Sequence, residues 1–403
     1  QWRFKGFFDH GLNKKGNGST KKNYFLSDSE FNGIRNSAPF DYYYKGGDSH
    51  YFYSIKRNYV YENLTIEYNG DFIEGIKKEG KGEEIIRNNN KIIFSYVGEF
   101  KNGKFHGKGK YKDHDNRFGH YNGLNTIRNI NYSGELENGL ISGKGILTYQ
   151  IQEYDFELNK IIEIYDYKYE GNFVNDEKEG FGVQSYTDSK GKIVGKYTGN
   201  WVKNFPSGYG ELEFSHDALT VVFEGFIINK STLLEDDHPK KTKAIYKGNF
   251  IGLIGENSKS PFSSSFHGKG TLKYFNGNEY SGDWDSMSLG YSKSKKHGFG
   301  KMKFTNGNIY SGEWKKDFIE GFGTMKYYNG DEYIGEWKYD DLYKKSFKNG
   351  DGIFIFSDGM EYSSEWEEGQ DIGLKVPKLL LELNNIEFIK LMLAGDEITK
   401  FDK

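Results

Sequence analysis

Along most of the chain, aromatic residues and glycines alternate with polar residues in a two-residue rhythm, and short polar turns interrupt it at intervals. In Tyr310-Ser311-Gly312-Glu313-Trp314 the tyrosine, glycine and tryptophan fall on one face of an extended segment, with Ser311, Glu313 and Lys315 on the other. The next run continues the pattern: Gly321, Gly323, Met325 and Tyr327 share a face, and Phe322, Thr324 and Lys326 lie opposite. Alternation of this kind between turn residues predicts strands rather than helices. The turns agree, since Asn276-Gly277, Asn306-Gly307 and Asn329-Gly330 supply the positive φ that tight hairpins require. Each unit therefore reads as a β-hairpin in which a large ring lies beside bare glycine and covers its backbone.

The unit recurs. Copies of Tyr-x-Gly-x-aromatic, with Leu136 in the last place of one, begin at Tyr68, Tyr96, Tyr132, Tyr169, Tyr197, Tyr246, Tyr280, Tyr310 and Tyr333, and each reaches its own Gly-x-Gly before the next begins. Degenerate copies stand at Phe4-Lys5-Gly6-Phe7-Phe8, at Phe223-Glu224-Gly225-Phe226 and at Tyr362-Ser363-Ser364-Glu365-Trp366, where Ser364 replaces the glycine. A unit this short buries its apolar face only against its neighbours, so function is to be sought on an extended surface. The pattern resembles the MORN repeat (membrane occupation and recognition nexus), most specifically over residues 280–366 and more loosely from about residue 66 to 369. The resemblance implies a single-layer sheet whose groove receives helices. It also implies a setting in a cytoskeletal or membrane-edge assembly, such as a ciliary spoke complex or a cortical ring, and the absence of cysteine separately points to an intracellular protein.

The expected fold is an all-β repeat, an elongated single-layer twisted antiparallel meander of about ten hairpins with a C-terminal amphipathic α-helix. Roughly twenty strands at about 4.8 Å each would make a ribbon on the order of 90–100 Å long. Residues 1–65 read as an irregular region with degenerate repeats, 66–369 as the array, and 370–403 as a C-terminal segment. Insertions change sides along this array. Early ones, around 83–95, 110–131, 146–168 and 183–196, follow the Gly-x-Gly; later ones, around 253–267, 285–297 and 338–349, precede it. Successive turns of a meander lie on opposite edges, so the two sets are expected to decorate different edges.

Residues 377–394 read as the helix, with Pro377 in its first turn, Gly395 as a stop and a broad apolar side that includes Leu379, Leu380, Leu383 and Ile386. It is too short and too polar to span a bilayer. Three uses compete for it: capping the array, docking a partner or a second copy through Leu383 and Ile386, and lying on a membrane surface.

Composition narrows the chemistry. With 52 Gly, 32 Tyr and 32 Phe in 403 residues, aromatic rings carry the packing. A net charge of −3 gives no support to nucleic-acid binding as a global property. The absence of cysteine removes disulfides, thiolate metal sites and cysteine nucleophiles. No cofactor, metal or catalytic set is expected. The Gly-x-Gly elements lack the third glycine and following helix of a dinucleotide fingerprint, and the run from Gly139 to Gly145 around Lys144 has the wrong spacing for a phosphate loop. His114 and His120, with Asp113 and Asp115, read as a polar loop rather than a metal site.

The expected function is a non-catalytic scaffold that binds protein subunits along its aromatic groove and decorated edges, with homo-oligomers possible. Trp201, Trp284, Trp314 and Trp337 are the candidate anchors. The alternative is a membrane-recognition module that binds acidic phospholipid through Lys240, Lys241 and Lys243 and through Lys293, Lys295 and Lys296.

Overall fold

The structure, a computed structural model, describes residues 3–9, 12–24, 64–73, 77–114, 125–155, 160–215, 243–252, 264–285 and 294–373. Among these residues all regular structure is β-strand, and no helix occurs. The helix predicted at 377–394, with Leu383 and Ile386, lies outside them. The chain divides into two compact units, residues 1–208 with 252–263, and residues 209–251 with 264–403.

The first unit holds β1 (Arg3–Asp9), β2 (Leu12–Tyr24), β3 (Leu64–Ile73), β4 (Lys77–Asn88), β5 (Lys91–Lys101), β6 (Lys104–Asp113), β7 (Asn125–Glu137), β8 (Leu140–Asp155), β9 (Lys160–Val174), β10 (Glu177–Thr187) and β11 (Ile193–Val202). From β1 to β11 each strand pairs antiparallel with the next in sequence, an uninterrupted meander. The meander reaches back to Arg3, where Gly6 pairs with Gly16 and Gly18 with Gly70, so Gly16-Asn17-Gly18 stands where a Gly-x-Gly belongs.

β12 (Phe205–Ser215) runs through the boundary of the two units. The second unit then contains β13 (Lys243–Gly252), β14 (Ser264–Lys273), β15 (Glu279–Asp285), β16 (Lys295–Lys303), β17 (Ile309–Lys315), β18 (Phe318–Lys326), β19 (Glu332–Asp340), β20 (Lys345–Ile355), β21 (Glu361–Glu367) and β22 (Gln370–Gly373). From β14 to β22 it too is an antiparallel meander of sequence neighbours.

In the copies that begin at Tyr68, Tyr96, Tyr132, Tyr169, Tyr280, Tyr310 and Tyr333 the glycine of Tyr-x-Gly faces the second glycine of Gly-x-Gly across the ladder, as in Gly98↔Gly109 and Gly312↔Gly323. Just past that pair the register slips, and the first glycine of Gly-x-Gly sits in the resulting bulge with positive φ, +105° at Gly321. The three glycines of a repeat thus have two roles: two are sockets and one is a bulge.

Among the described residues, several of the insertions are paired strand rather than loop. In the first unit β8 and β9 extend their ladder from Gly145↔Gly171 out to Asp155↔Lys160, and β4 and β5 run on to Asn88↔Lys91. These extensions all lie on the edge that follows Gly-x-Gly. In the second unit the extension from Gly335↔Gly352 to Asp340↔Lys345 lies on the edge that precedes it, while the hairpins of the other edge close through Asn-Gly or Asp-Gly turns.

Candidate functional site

The repeated tyrosine organises each unit. Its ring folds over the socket glycines two residues on and across the ladder, so a β-carbon at Gly312 or Gly323 would collide with Tyr310 or the facing backbone. Its hydroxyl donates to the carbonyl three residues ahead, at 2.8 Å from Tyr96 to Glu99 and 3.0 Å from Tyr310 to Glu313. That carbonyl sits where the bulge interrupts ladder pairing, so the hydroxyl satisfies a group the bulge would otherwise orphan. Burial pushes these phenols far above their ordinary pKa, and they stay protonated.

The last aromatic of each motif bridges two tyrosines edge to face. Trp314 lies 5.2 Å from Tyr280 and 5.4 Å from Tyr310; Trp337 lies 5.7 Å from Tyr310 and 5.3 Å from Tyr333. The result is a continuous herringbone of rings along one face of the sheet. Indole N–H groups of Trp201, Trp284, Trp314 and Trp337 donate to the carbonyls of Gly182, Gly270, Gly300 and Gly323, the second socket glycine of the preceding copy.

One further slot completes the face, two residues before the bulge glycine. Phe105 and Phe266 fill it by stacking on Tyr96 and Tyr246 at 4.0 and 3.7 Å. Lys78, Lys178, Lys296 and Lys348 fill it with an ammonium instead. Lys296 stands over Trp314 at 4.9 Å and Tyr280 at 5.9 Å, and Lys348 over Trp366 at 4.1 Å and Phe354 at 4.7 Å. Lys178 also donates to Gln184 at 2.8 Å, and Lys78 pairs with Glu84.

The proposed anchors are consequently interior. Trp201, Trp284, Trp314 and Trp337 are all buried, none more than 8% exposed, because the neighbouring repeats' rings already cover them. Of the two lysine clusters, Lys240, Lys241 and Lys293 lie outside the described residues. Lys243 pairs with Glu213, Lys295 pairs with Asp317, and Lys296 is buried in its aromatic slot. In the loop with the two histidines, Asp113 is buried and His114 exposed, while Asp115 and His120 fall outside the described residues. The glycine run around Lys144 is a hairpin: Gly139 makes the turn and Lys144 sits on β8 between its two glycines.

Exposed apolar side chains occur elsewhere. On the face opposite the rings, the middle residue of Gly-x-Gly points outward beside an acid or amide of the next strand. In the first unit these pairs are Lys81↔Glu99 and Lys108↔Glu135, whereas Phe181 faces Asn200. In the second unit Phe299↔Glu313 and Phe322↔Glu336 stand beside Lys269↔Asp283 and Asp351↔Glu365, with Phe299 44% exposed and Phe181 of the first unit 58% exposed. The acids there have local work: Glu313 accepts the Phe322 N–H at 3.1 Å and Asp283 the Phe299 N–H at 3.2 Å, each plugging a bulge. At the hairpin ends of the second unit, Tyr328, Leu342, Tyr343 and Met360 are all more than half exposed. Strand parity already placed Phe322 opposite Tyr310, so this outward set was readable in the sequence, although the tryptophans attracted the assignment.

The family model for the MORN repeat matches residues 96–116, 132–152, 169–190, 197–215, 265–279, 290–309 and 310–332. The chain carries seven MORN repeats across residues 96–332. The geometry continues beyond the matched segments, since Tyr68 and Tyr333 make the same hydroxyl-to-carbonyl bonds at 2.9 and 3.1 Å. MORN repeats are in general modules of protein or membrane interaction and are generally non-catalytic. No curated protein matches this chain.

Proposed function

We propose that this MORN-repeat protein is a non-catalytic scaffold that holds partner proteins on its outward sheet face and hairpin edges, inside the cell and within a cytoskeletal or membrane-edge assembly. One observation carries the reading. The rings able to serve as anchors are consumed in joining repeat to repeat, while Phe299, Tyr328, Leu342 and Met360 stand exposed on a backbone that those rings hold in place. Exposed aromatic and aliphatic groups on a preorganised surface are what protein recognition uses, because little ordering entropy remains to be lost on binding.

Turn-to-turn bonds add to that preorganisation. In the second unit Asn278 accepts the Thr305 N–H, Asn308 the Tyr328 N–H and Asp331 the Ser357 N–H, each within 3.0 Å, so successive hairpin ends are tied in a row. A photo-crosslinking residue at Phe299, Tyr328 or Leu342, in the full chain in its native cells, should capture the same protein at near-stoichiometric yield. One at Trp314 should capture none. If the outward positions yield no protein, and the purified chain instead sediments with vesicles containing acidic phospholipid, the membrane reading replaces this one.

A further inference from the structure

Between the Tyr strand and the Gly-x-Gly strand of each copy, the second turn residue is fastened to the preceding copy. Its N–H donates to the carbonyl of the slot residue there: Gly103 to Lys78, Gly139 to Phe105, Asp176 to Ile141, Asn204 to Lys178, Asp317 to Lys296 and Gly369 to Lys348, at 2.8–3.1 Å. Where this residue has a side chain, its oxygen returns the bond. Asp176 Oδ1 accepts the Ile141 N–H at 2.6 Å, Asn204 Oδ1 the Lys178 N–H at 2.8 Å and Asp317 Oδ1 the Lys296 N–H at 2.8 Å. The fastening is the same in all three, but the charge is not.

Asn204 is neutral. Asp317 has Lys295 paired with its second oxygen. Asp176 is 1% exposed, and its Oδ2 is buried without a hydrogen-bond partner. Among the described residues, the groups that face it supply no cation. From β7 comes the Tyr132 phenol, whose hydroxyl is engaged with the Glu135 carbonyl at 2.7 Å. From β8 come the Ile141 backbone groups, and from the start of β10 comes Glu177, which adds a like charge. The Lys178 ammonium is directed to Gln184 and to the rings of Tyr167, Tyr169 and Trp201.

We propose that Asp176 is a pH-sensitive joint between adjacent repeats: protonated, it seats in its pocket and fastens the β9–β10 turn to β8, and ionised, it is drawn toward water and loosens that turn. Burial is the leading reason its carboxyl is held up to about 7, with Glu177 adding to the shift and the Ile141 bond opposing it. The sign follows from proton counting. Between the ordinary carboxylate pKa of 3.8 and about 7 the seated form holds a proton that the released form has lost. The seated form is therefore fully favoured below that window and loses ground as pH rises through it. At Asp317 the second carboxyl oxygen is instead paired with Lys295.

The test is amide hydrogen exchange on the intact protein at pH 5.5 and pH 8, corrected for intrinsic rates. It follows the segments around Ile141 and around residues 174–178, with the Asp317 turn as internal reference. Opening at Ile141 and the 174–178 turn should increase on the order of tenfold or more between the two pH values. The Asp317 turn should not change. Asp176→Asn, which copies Asn204, and Asp176→Gly, which copies Gly103, should each abolish the pH dependence; either variant suffices if the other fails to fold. A wild type whose protection ignores pH, or a pH dependence that survives both substitutions, overturns the proposal.

Discussion

The two units solve one packing problem with different side chains. In the first, the motif's last aromatic position holds Phe100, Leu136 and Phe173, and becomes tryptophan only at Trp201; in the second it holds Phe250, then Trp284, Trp314, Trp337 and Trp366. Phe100 stands edge-on to Tyr68 and Tyr96 at 5.0 and 5.1 Å, much as Trp314 stands to Tyr280 and Tyr310. The bridging ring is interchangeable. What does not change is the tyrosine over two facing glycines, because nothing with a β-carbon fits beneath that ring. The bulge glycine is equally constant, for the separate reason of its backbone angle.

The comparison breaks most visibly if the sockets are not equivalent. Gly109→Ala in the first unit and Gly323→Ala in the second should each destabilise by about 3 kcal/mol, since the added methyl meets the overlying ring of Tyr96 or Tyr310, which is itself packed against neighbouring rings. Urea denaturation followed by tyrosine and tryptophan fluorescence measures this. A loss confined to one unit would show that the other has slack the structure does not display.

Next in size is the tyrosine hydroxyl. Tyr96→Phe and Tyr310→Phe leave the Glu99 and Glu313 carbonyls without their 2.8 and 3.0 Å donors, at a cost of about 1–2 kcal/mol in either unit. Because Tyr310 is among the least exposed residues and Tyr96 equally so, matched losses are expected. Thermal melts of the two variants compare them directly.

Trp314→Phe should cost less than the socket changes, about 1 kcal/mol, by removing the 3.2 Å bond to Gly300 while keeping a ring between two tyrosines. The first unit shows that phenylalanine is accepted there. The last copy offers a natural control: Trp366 has a buried indole nitrogen with no partner, and Trp366→Phe should therefore change stability by less than Trp314→Phe. Ser364, in place of the socket glycine, instead bonds Asp371 and the Gly373 carbonyl, which draws β22 onto β21 and ends the repeating geometry.

Period-two alternation and the repeated glycines made the hairpins, the ring face and the socket pairing legible before any coordinates. Three features were less so. The bulge glycine looks like its neighbour in sequence, and only the register slip at Gly312 and Trp314 separates their roles. That the inserted stretch at 146–168 extends its ladder out to Asp155↔Lys160 is set by pairing with the next strand, which the spacing between motifs does not record. The tryptophans read as binding anchors because anchors and core rings share one chemistry. What distinguishes them is coverage by the next repeat, a long-range property that no single motif records. For the same reason Lys296, one member of a basic cluster by sequence, is a buried component of the ring face.

The smallest predicted effect concerns that slot. Phenylalanine, isoleucine and lysine all occupy it, so Lys348→Met, which keeps the stem and removes the charge, should shift stability by less than about 1 kcal/mol at neutral pH. Its signature lies in the pH profile. Burial lowers the Lys348 pKa, against an opposing pull from Asp371, so the unfolded chain retains a proton that the folded slot sheds more readily. Stability contributed by this group therefore rises as pH climbs through the window just below 10.5, the reverse of the buried phenols, which lose stability as the unfolded tyrosines ionise near 10. The phenol effect is common to both proteins and cancels in the difference. Wild type minus Lys348→Met, measured by urea denaturation from pH 8 to 10, should increase with pH. A flat difference would mean that the ammonium remains fully hydrated and that the aromatic slot tolerates lysine without enclosing its charge.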